Sequence, residues 1–486
     1  KGNPIVGTIA YGQTSEYSTS TVKPHVDNYV NYLNETFSLG ATGRLISLEE
    51  LTKIGCAVGQ QGGCSAAYNE NYEWLLRTTF WTGEKDGNNK VYLVGGDGFL
   101  GSSTGITNEI LRGIRPVIIV PADKVNISTR PENPNNPTSN IPEEWQDNGI
   151  FSEYYDQAYE KLQTLTLAEK IGQLMVVRYS KNTIPQDAVK NYFISGTTFY
   201  SVDFNSKTEA EVKSMISTLQ TNSKIPMLMA VDEEGGKVVR VSSNSNLAPE
   251  PFKSSQELYK TGGLPLIKTD TVNKSALLRN LGLNVNFAPV VDIASSTSYI
   301  YARTLGESPE ITGQYAVTVV EASKNTGVSY SLKHFPGYGN NADTHTSSSV
   351  DNTSLEELRN THLVPFKAGI EGGAESVMIS HNIVSALDKE NPASLSKPVH
   401  DLLFNDLKFT GIAITDDLDM DVAKDVSNRY TKAILNGNNI ILCSDYKSAA
   451  SELTTSVVNG VISEDYLNQK VFKVLAWKYY KGLMSS

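Results

Sequence analysis

Eight short apolar runs, spread through the last two thirds of the chain, constrain its fold more than any other feature. They lie at 173–177 (QLMVV), 194–200 (ISGTTFY), 226–232 (PMLMAVD), 284–292 (NVNFAPVVD), 328–335 (VSYSLKHF), 376–381 (SVMISH), 411–417 (GIAITDD) and 439–444 (NIILCS). Amphipathic stretches at helical spacing separate most of them, among them 207–220, 309–323, 354–370 and 427–436. Near-continuous apolar strands alternating with helices indicate a parallel sheet covered on both faces. Eight strand–helix units over about 330 residues predict an α/β fold, a (β/α)8 TIM-like barrel. A doubly wound open sheet is the alternative, but no Gly-X-Gly-X-X-Gly turn follows the first strand.

Residues 1–122 read differently. They are rich in Gly, Tyr, Ser and Thr. SLEELTKIG predicts a short helix capped by Ser47, and YEWLLRTTFW, KVYLVGG and GIRPVIIV predict short strands. GGDGFLG has no Gly-Lys-Ser/Thr after it, so it is expected to be a hairpin turn rather than a phosphate loop. The segment is expected to be a small accessory α+β domain. Residues 123–150, with Pro131, Pro134, Pro137 and Pro142 among Asn, Ser and Thr, are expected to be a linker, and 151–486 the catalytic barrel.

The formal net charge of -11 argues against nucleic acid and anionic membrane surfaces as partners. No apolar run approaches the roughly 20 residues of a membrane span. The chain opens at Lys1 without a methionine, and no signal peptide is visible. Cys56 and Cys64 sit in GCAVGQQGGC and could bridge, whereas Cys443 in IILC reads as a buried small hydrophobe. No Cys/His spacing fits a zinc site.

The chemistry collects at strand ends, where barrel enzymes place their sites. The third run ends in Asp232, and the fourth in Asp292 with Arg303 soon after. The fifth ends in Lys333-His334, followed by a loop with Asp343 and His345. The sixth ends in His381 and the seventh in Asp416-Asp417. One such residue would be read as a satisfied core polar group; five successive strand ends are not. An ionised carboxylate, a group that donates protons near neutral pH, and several Asp, Arg and Lys groups to hold hydroxyls suit glycoside hydrolysis. A histidine titrates near pH 6.5 without a large shift, and Asp343 could orient His345. His25, His362 and His400 lie outside these motifs and read as surface or structural.

The motifs IGQLMVV, AVDEEGGKVVRV, NFAPVVDI, RTLGESPE, SLKHFPGYGNNADTHTS, MISHNIV, PASLS and ITDDLDM, in this order, resemble family 3 glycoside hydrolases over roughly 155–486. The Asp-X-His loop resembles the β-N-acetylglucosaminidase (β-hexosaminidase) branch. The β-glucosidase branch takes a Glu from a further C-terminal domain, and this chain is expected to end with the barrel's last helix. The pieces Gly43-Arg44-Leu45, Trp74, Val91 to Gly98 and Gly113 to Val117 faintly resemble C-type-lectin-like surface modules.

The family resemblance implies a retaining, exo-acting enzyme with no metal or cofactor. Asp416 matches the nucleophile, with Asp417 the alternative on sequence alone. His345 matches the general acid/base and Asp343 its partner. Asp232, Arg240, Arg303, Lys333 and His334 match the groups that grip the non-reducing N-acetylglucosamine (GlcNAc). The expected partner is a GlcNAc-containing oligosaccharide or muropeptide, for a monomer or weak oligomer. An exported or cell-surface bacterial enzyme is expected, with a cytoplasmic one the alternative. Glu233 stands where Gln is usual and is expected to add charge near the pocket. Tyr338 replaces a usual His, and loop 340–350 lacks the usual Leu-Pro. The rivals are a β-glucosidase or β-xylosidase, a phosphorylase that replaces water by phosphate, and a surface carbohydrate-binding protein without turnover.

Overall fold

The computed structural model describes residues 8–9, 23–37, 42–45, 51, 80–85, 91–94, 100–103, 112–113, 116–119, 141–179, 186–339 and 350–484. The chain divides into two compact units, Lys1–Pro137 and Thr138–Ser486. In the first, the helix Lys23–Phe37 buries Val26 and Val30 and packs on the strand Thr42–Leu45. That strand pairs antiparallel with Pro116–Ile119. A second sheet runs in the order Thr8–Ile9, Arg112–Gly113, Phe80–Lys85, Val91–Val94, Leu100–Ser103. This is an α+β unit. Val94 stands opposite Leu100, so the strands on either side of the expected hairpin turn are antiparallel neighbours. Of the strand expected over YEWLLRTTFW, only Phe80 and Trp81 are described, and they open the strand Phe80–Lys85. Cys56, Cys64, Trp74 and most of the helix expected from Ser47 lie outside the described residues.

The second unit is a closed barrel of eight parallel strands. They are β1 (Met175–Arg178), β2 (Gly196–Phe199), β3 (Leu228–Val231), β4 (Val285–Asn286), β5 (Ser329–Phe335), β6 (Ser376–Ile379), β7 (Ile412–Asp417) and β8 (Ile440–Cys443). Each pairs with its neighbour in sequence, and Ile441 of β8 faces Met175 of β1 to close the ring. The strands are buried almost throughout because helices cover the outside, which explains why the apolar runs show no alternation. Hydroxyl side chains among them satisfy themselves locally: Thr197 donates to the Val177 carbonyl at 2.8 Å, and Ser331 meets Ser376. β4 has only two residues. The chain beyond it makes one further bridge, Val290 to Lys333, so Asp292 follows a strand rather than ending one.

The outer helices start where their sequences provide caps. Thr208 and Glu211 form a reciprocal capping box ahead of Glu209–Asn222, and Ser308 with Pro309 opens Pro309–Ser323. The C-terminal helix Glu464–Tyr480 covers the N-terminal end of the barrel. Its Trp477 Nε1 donates to Glu375 Oε2 at 2.9 Å, just ahead of β6, and Lys478 Nζ donates to Gln173 Oε1 at 2.6 Å, just ahead of β1. Among the described residues the core of this unit takes in Ile141. Trp145 is buried against Phe472, so the residues expected to be linker as far as 150 are partly core. Among the described residues no helix is long and apolar enough to cross a membrane.

Candidate active site

A cavity of about 470 Å³ opens at the C-terminal ends of the strands. Its wall takes Arg178 from β1, Tyr200 after β2, Asp232 and Glu234 after β3, Arg303 from the β4 loop, Lys333 and His334 from β5, and Asp416 and Asp417 from β7. All of these carry charge or a polar tip, and Phe287, Met378 and Leu442 supply the apolar floor.

The densest part is an alternating chain of cations and carboxylates. Lys333, 2% exposed, donates to Asp232 Oδ1 at 2.6 Å and contacts Glu234 Oε1 at 2.7 Å. Arg303 grips Glu234 with two donors, Nε to Oε2 at 3.0 Å and an Nη to Oε1 at 2.7 Å. Burial pushes the Glu234 carboxyl up, but Lys333 and Arg303 outweigh it and hold the group well below the usual carboxylate range. Burial pushes Lys333 down, but Asp232 and Glu234 raise it above its ordinary value. Glu234 is not among the residues expected from the sequence. The signal was there, since it is the third acid of the Asp-Glu-Glu run that follows β3.

His334 is fixed by Asp292. Its Nδ1–H donates to Asp292 Oδ2 at 2.7 Å, and its Nε2 lies 3.4 Å from an Nη of Arg303. Asp292 also accepts the backbone N–H of Tyr338 at 2.7 Å. Tyr338 itself is buried with Val290 and Ile300. At the position where a His is usual, this Tyr ring meets the His334 ring edge-on, with centres 5.7 Å apart.

The two acids of β7 are driven in opposite directions. Burial raises the Asp416 carboxyl, but His381, His334, the Asp417 N–H and Lys333 together bring it below its ordinary value. Asp417 is raised, by burial first and then by Asp419 and Asp416, against the N–H of Asp419 that its Oδ1 accepts at 3.0 Å. His381 is buried behind them. Its Nε2–H donates to the Asp417 carbonyl at 2.8 Å and its Nδ1 meets the Ser394 hydroxyl at 2.7 Å, so it supports the strand end. His362 and His400 are buried.

Asp232, Arg240, Arg303, Lys333, His334 and Asp416 line one cavity. Asp343 and His345 lie within 340–349, outside the described residues. Glu233 does not line the cavity: its carboxylate turns away from it, onto backbone N–H groups of 240–242. Arg178, Tyr200 and Lys237 were not singled out. The strand-end rule applied to the first two runs would have found Arg178 and Tyr200. The Arg178 guanidinium lies 4.2 Å from the centre of the Tyr200 ring. The glycines of the motif are steric necessities: a Cβ on Gly235, at φ +103°, would stand 2.1 Å from the Lys253 carbonyl oxygen.

A parallel eight-stranded barrel with acids, bases and cations converging at its C-terminal mouth belongs to the class of barrel hydrolases. The family model described as "Glycosyl hydrolase family 3 N terminal domain" matches residues 166–477. The chain belongs to that family and is a glycoside hydrolase. It is 30% identical over 239 residues to a β-hexosaminidase of Stenotrophomonas maltophilia strain K279a, covering 48% of this chain and 70% of that protein. A β-hexosaminidase of Nitrosomonas eutropha is also 30% identical, over 262 residues, 52% of this chain and 75% of the relative. Among solved structures, a family 3 β-N-acetylglucosaminidase from Paenibacillus is 27% identical with a TM-score of 0.62, covering 66% of this chain and 64% of that one. The family match begins at residue 166, so the lectin-like resemblance of the first unit gains no support from it.

Proposed function

We propose that this chain is an exo-acting β-N-acetylglucosaminidase that works with retention through a covalent glycosyl-enzyme. The observation that carries this reading is Asp416. It sits at the end of β7 on the wall of the cavity, and its carboxyl is held below the ordinary range although burial opposes ionisation. A nucleophile must be ionised when the sugar arrives, and cations around it achieve that. Asp416 attacks the anomeric carbon, forming the C–O bond as the bond to the leaving oxygen breaks. His345 gives that oxygen its proton, with Asp343 orienting the imidazole, and then takes a proton from a water whose oxygen bonds to the anomeric carbon as the bond to Asp416 breaks. Asp232, Arg240, Arg303, Lys333 and His334 bind hydroxyl and amide groups of the terminal sugar. The curated relatives named β-hexosaminidase support the GlcNAc specificity, and the carbohydrate is expected to be a cell-wall or chitin-type oligosaccharide.

Initial rates on matched aryl β-glycosides of GlcNAc and glucose test the reading. A strong preference for GlcNAc that collapses in His345→Ala on a poor leaving group is the expected result. Equal or better turnover of the glucoside would move the chain to the glucosidase branch. Proton NMR of the first-formed sugar separates retention, with β product first, from inversion.

A further inference from the structure

Glu233 lies between the two cavity acids Asp232 and Glu234, yet its side chain is fully buried and faces the other way. Its carboxylate accepts the N–H of Arg240 at 2.8 Å, of Val241 at 2.7 Å and of Ser242 at 3.3 Å, and the Ser242 hydroxyl at 2.5 Å. That hydroxyl in turn accepts the Phe252 N–H at 3.1 Å. The peptide of Glu233 is bracketed by Asn286 at the end of β4. The amide oxygen accepts the Glu233 N–H at 2.9 Å, and the amide nitrogen donates to its carbonyl at 3.0 Å. One residue therefore ties the ends of β3 and β4 to the segment that carries Arg240.

Arg240 needs that tie. Its Nε is buried without a hydrogen-bond partner, and its guanidinium makes no ion pair among the described residues. Its neighbour in the cavity is the ring of Tyr200, 5.6 Å away. A cation with so little holding its side chain is placed mainly by its own main chain, and Glu233 fixes that main chain. A buried carboxylate solvated by N–H groups is a stiff connector, since each of those donors is lost if the acceptor is removed.

We infer that Glu233 is a positioning residue for substrate recognition: its carboxylate locks residues 240–242 so that Arg240 is presented to the terminal sugar before the sugar binds. This rests on the proposed GlcNAc-cleaving function of the same site. Glu in place of the usual Gln then strengthens a loop anchor.

Steady-state kinetics of the full chain on an aryl β-N-acetylglucosaminide test it, using Glu233→Met, Glu233→Gln, Arg240→Ala and the paired variants. Glu233→Met is expected to raise KM about tenfold or more, with a much smaller change in kcat and no movement of either limb of the pH profile. Combined with Arg240→Ala it should add nothing further, because both act on one contact. Glu233→Gln keeps an acceptor for the Arg240 and Val241 N–H groups, so its KM should rise only about threefold. A wild-type KM in Glu233→Met, or losses that multiply with Arg240→Ala, would overturn the inference. Should Glu233→Met fail to fold, Glu233→Gln decides. Its KM rise must vanish in the Arg240→Ala background, and an unchanged KM or a rise that persists there overturns the inference. A wild type without turnover overturns the functional reading and this inference together. Turnover with insensitive variants overturns this inference alone.

Discussion

Asp416 and Asp417 are neighbours in sequence and opposites in chemistry. Asp416 stays ionised because His381, His334 and Lys333 face it, whereas Asp417 is raised by burial and by the two aspartates beside it. Asp416→Asn should lower kcat/KM on an aryl GlcNAc glycoside by at least about 10³-fold. Asp417→Asn keeps an oxygen for the Asp419 N–H and should cost about tenfold or less. With its pKa lowered, Asp416 keeps its ionised form as the pH falls, so the acidic limb of kcat/KM that belongs to it lies below the ordinary aspartate range. An acidic limb centred above 5 in the wild type would contradict that assignment. Glu234 makes a different prediction. Its removal leaves Lys333 and Arg303 buried together with Asp232 as the remaining close carboxylate. Glu234→Gln should therefore cost about 3 kcal/mol and several degrees of Tm. The folded-state pKa of Glu234 is depressed, so its contribution is complete above the unfolded value of about 4.3 and fades as pH falls towards the folded one. The Tm gap between wild type and Glu234→Gln should be constant near neutrality and narrow below about pH 4; a gap that widens in acid would refute the pairing.

At the scale of elements, the C-terminal helix holds the clearest conflict between burial and charge. Lys470 is buried, donates to the Gly437 carbonyl at 2.6 Å, and faces the rings of Tyr466 and Phe404 at 5.1 and 5.6 Å. It has no carboxylate partner among the described residues. Burial first, then Lys397 and Lys473, push its pKa down to about 7. Between pH 7 and the unfolded value of about 10.4 the unfolded chain holds a proton that the folded one has released, so stability rises with pH across that window. Lys470→Met should raise Tm, more at pH 6 than at pH 9.5, offset in part by the unpaired Gly437 carbonyl. Thermal unfolding at both pH values checks this, and a larger gain at the higher pH would reverse the sign. Elements also differed in how legible they were. The strands were plain because both faces are covered and the runs are apolar throughout. The helix Ser255–Leu281 was hidden because Gly262, Gly263 and Pro265 interrupt its pattern, and the structure kinks there, with Gly263 at φ 62°.

For the whole molecule, the second unit has its own closed barrel, and its core includes Ile141, Trp145, Phe151 and Tyr155 ahead of β1. A chain beginning at Thr138 is therefore expected to fold and to keep kcat/KM on the aryl GlcNAc glycoside within about threefold. One beginning at 156 loses those four side chains and should be unstable, since each large apolar residue removed from a core costs about 2–5 kcal/mol. Circular dichroism melts and initial rates of the two truncations distinguish these outcomes. Equal stability would mean that the residues before 156 are dispensable appendage.

The sequence alone determined the barrel, because strand burial and helix amphipathicity are written in local period. It also determined which strand ends carry chemistry, because charges rarely follow apolar runs without a partner or a task. Side-chain direction was decided by the tertiary structure. Glu233 and Glu234 are adjacent acids, yet one clamps a loop and the other bridges Lys333 and Arg303, which arrive from 99 and 69 residues away. Which of Asp416 and Asp417 is held ionised was likewise settled by His381, His334 and Lys333 from other strands. Coulomb energy and hydrogen bonding depend on distances in space, and only closure of the barrel sets those distances.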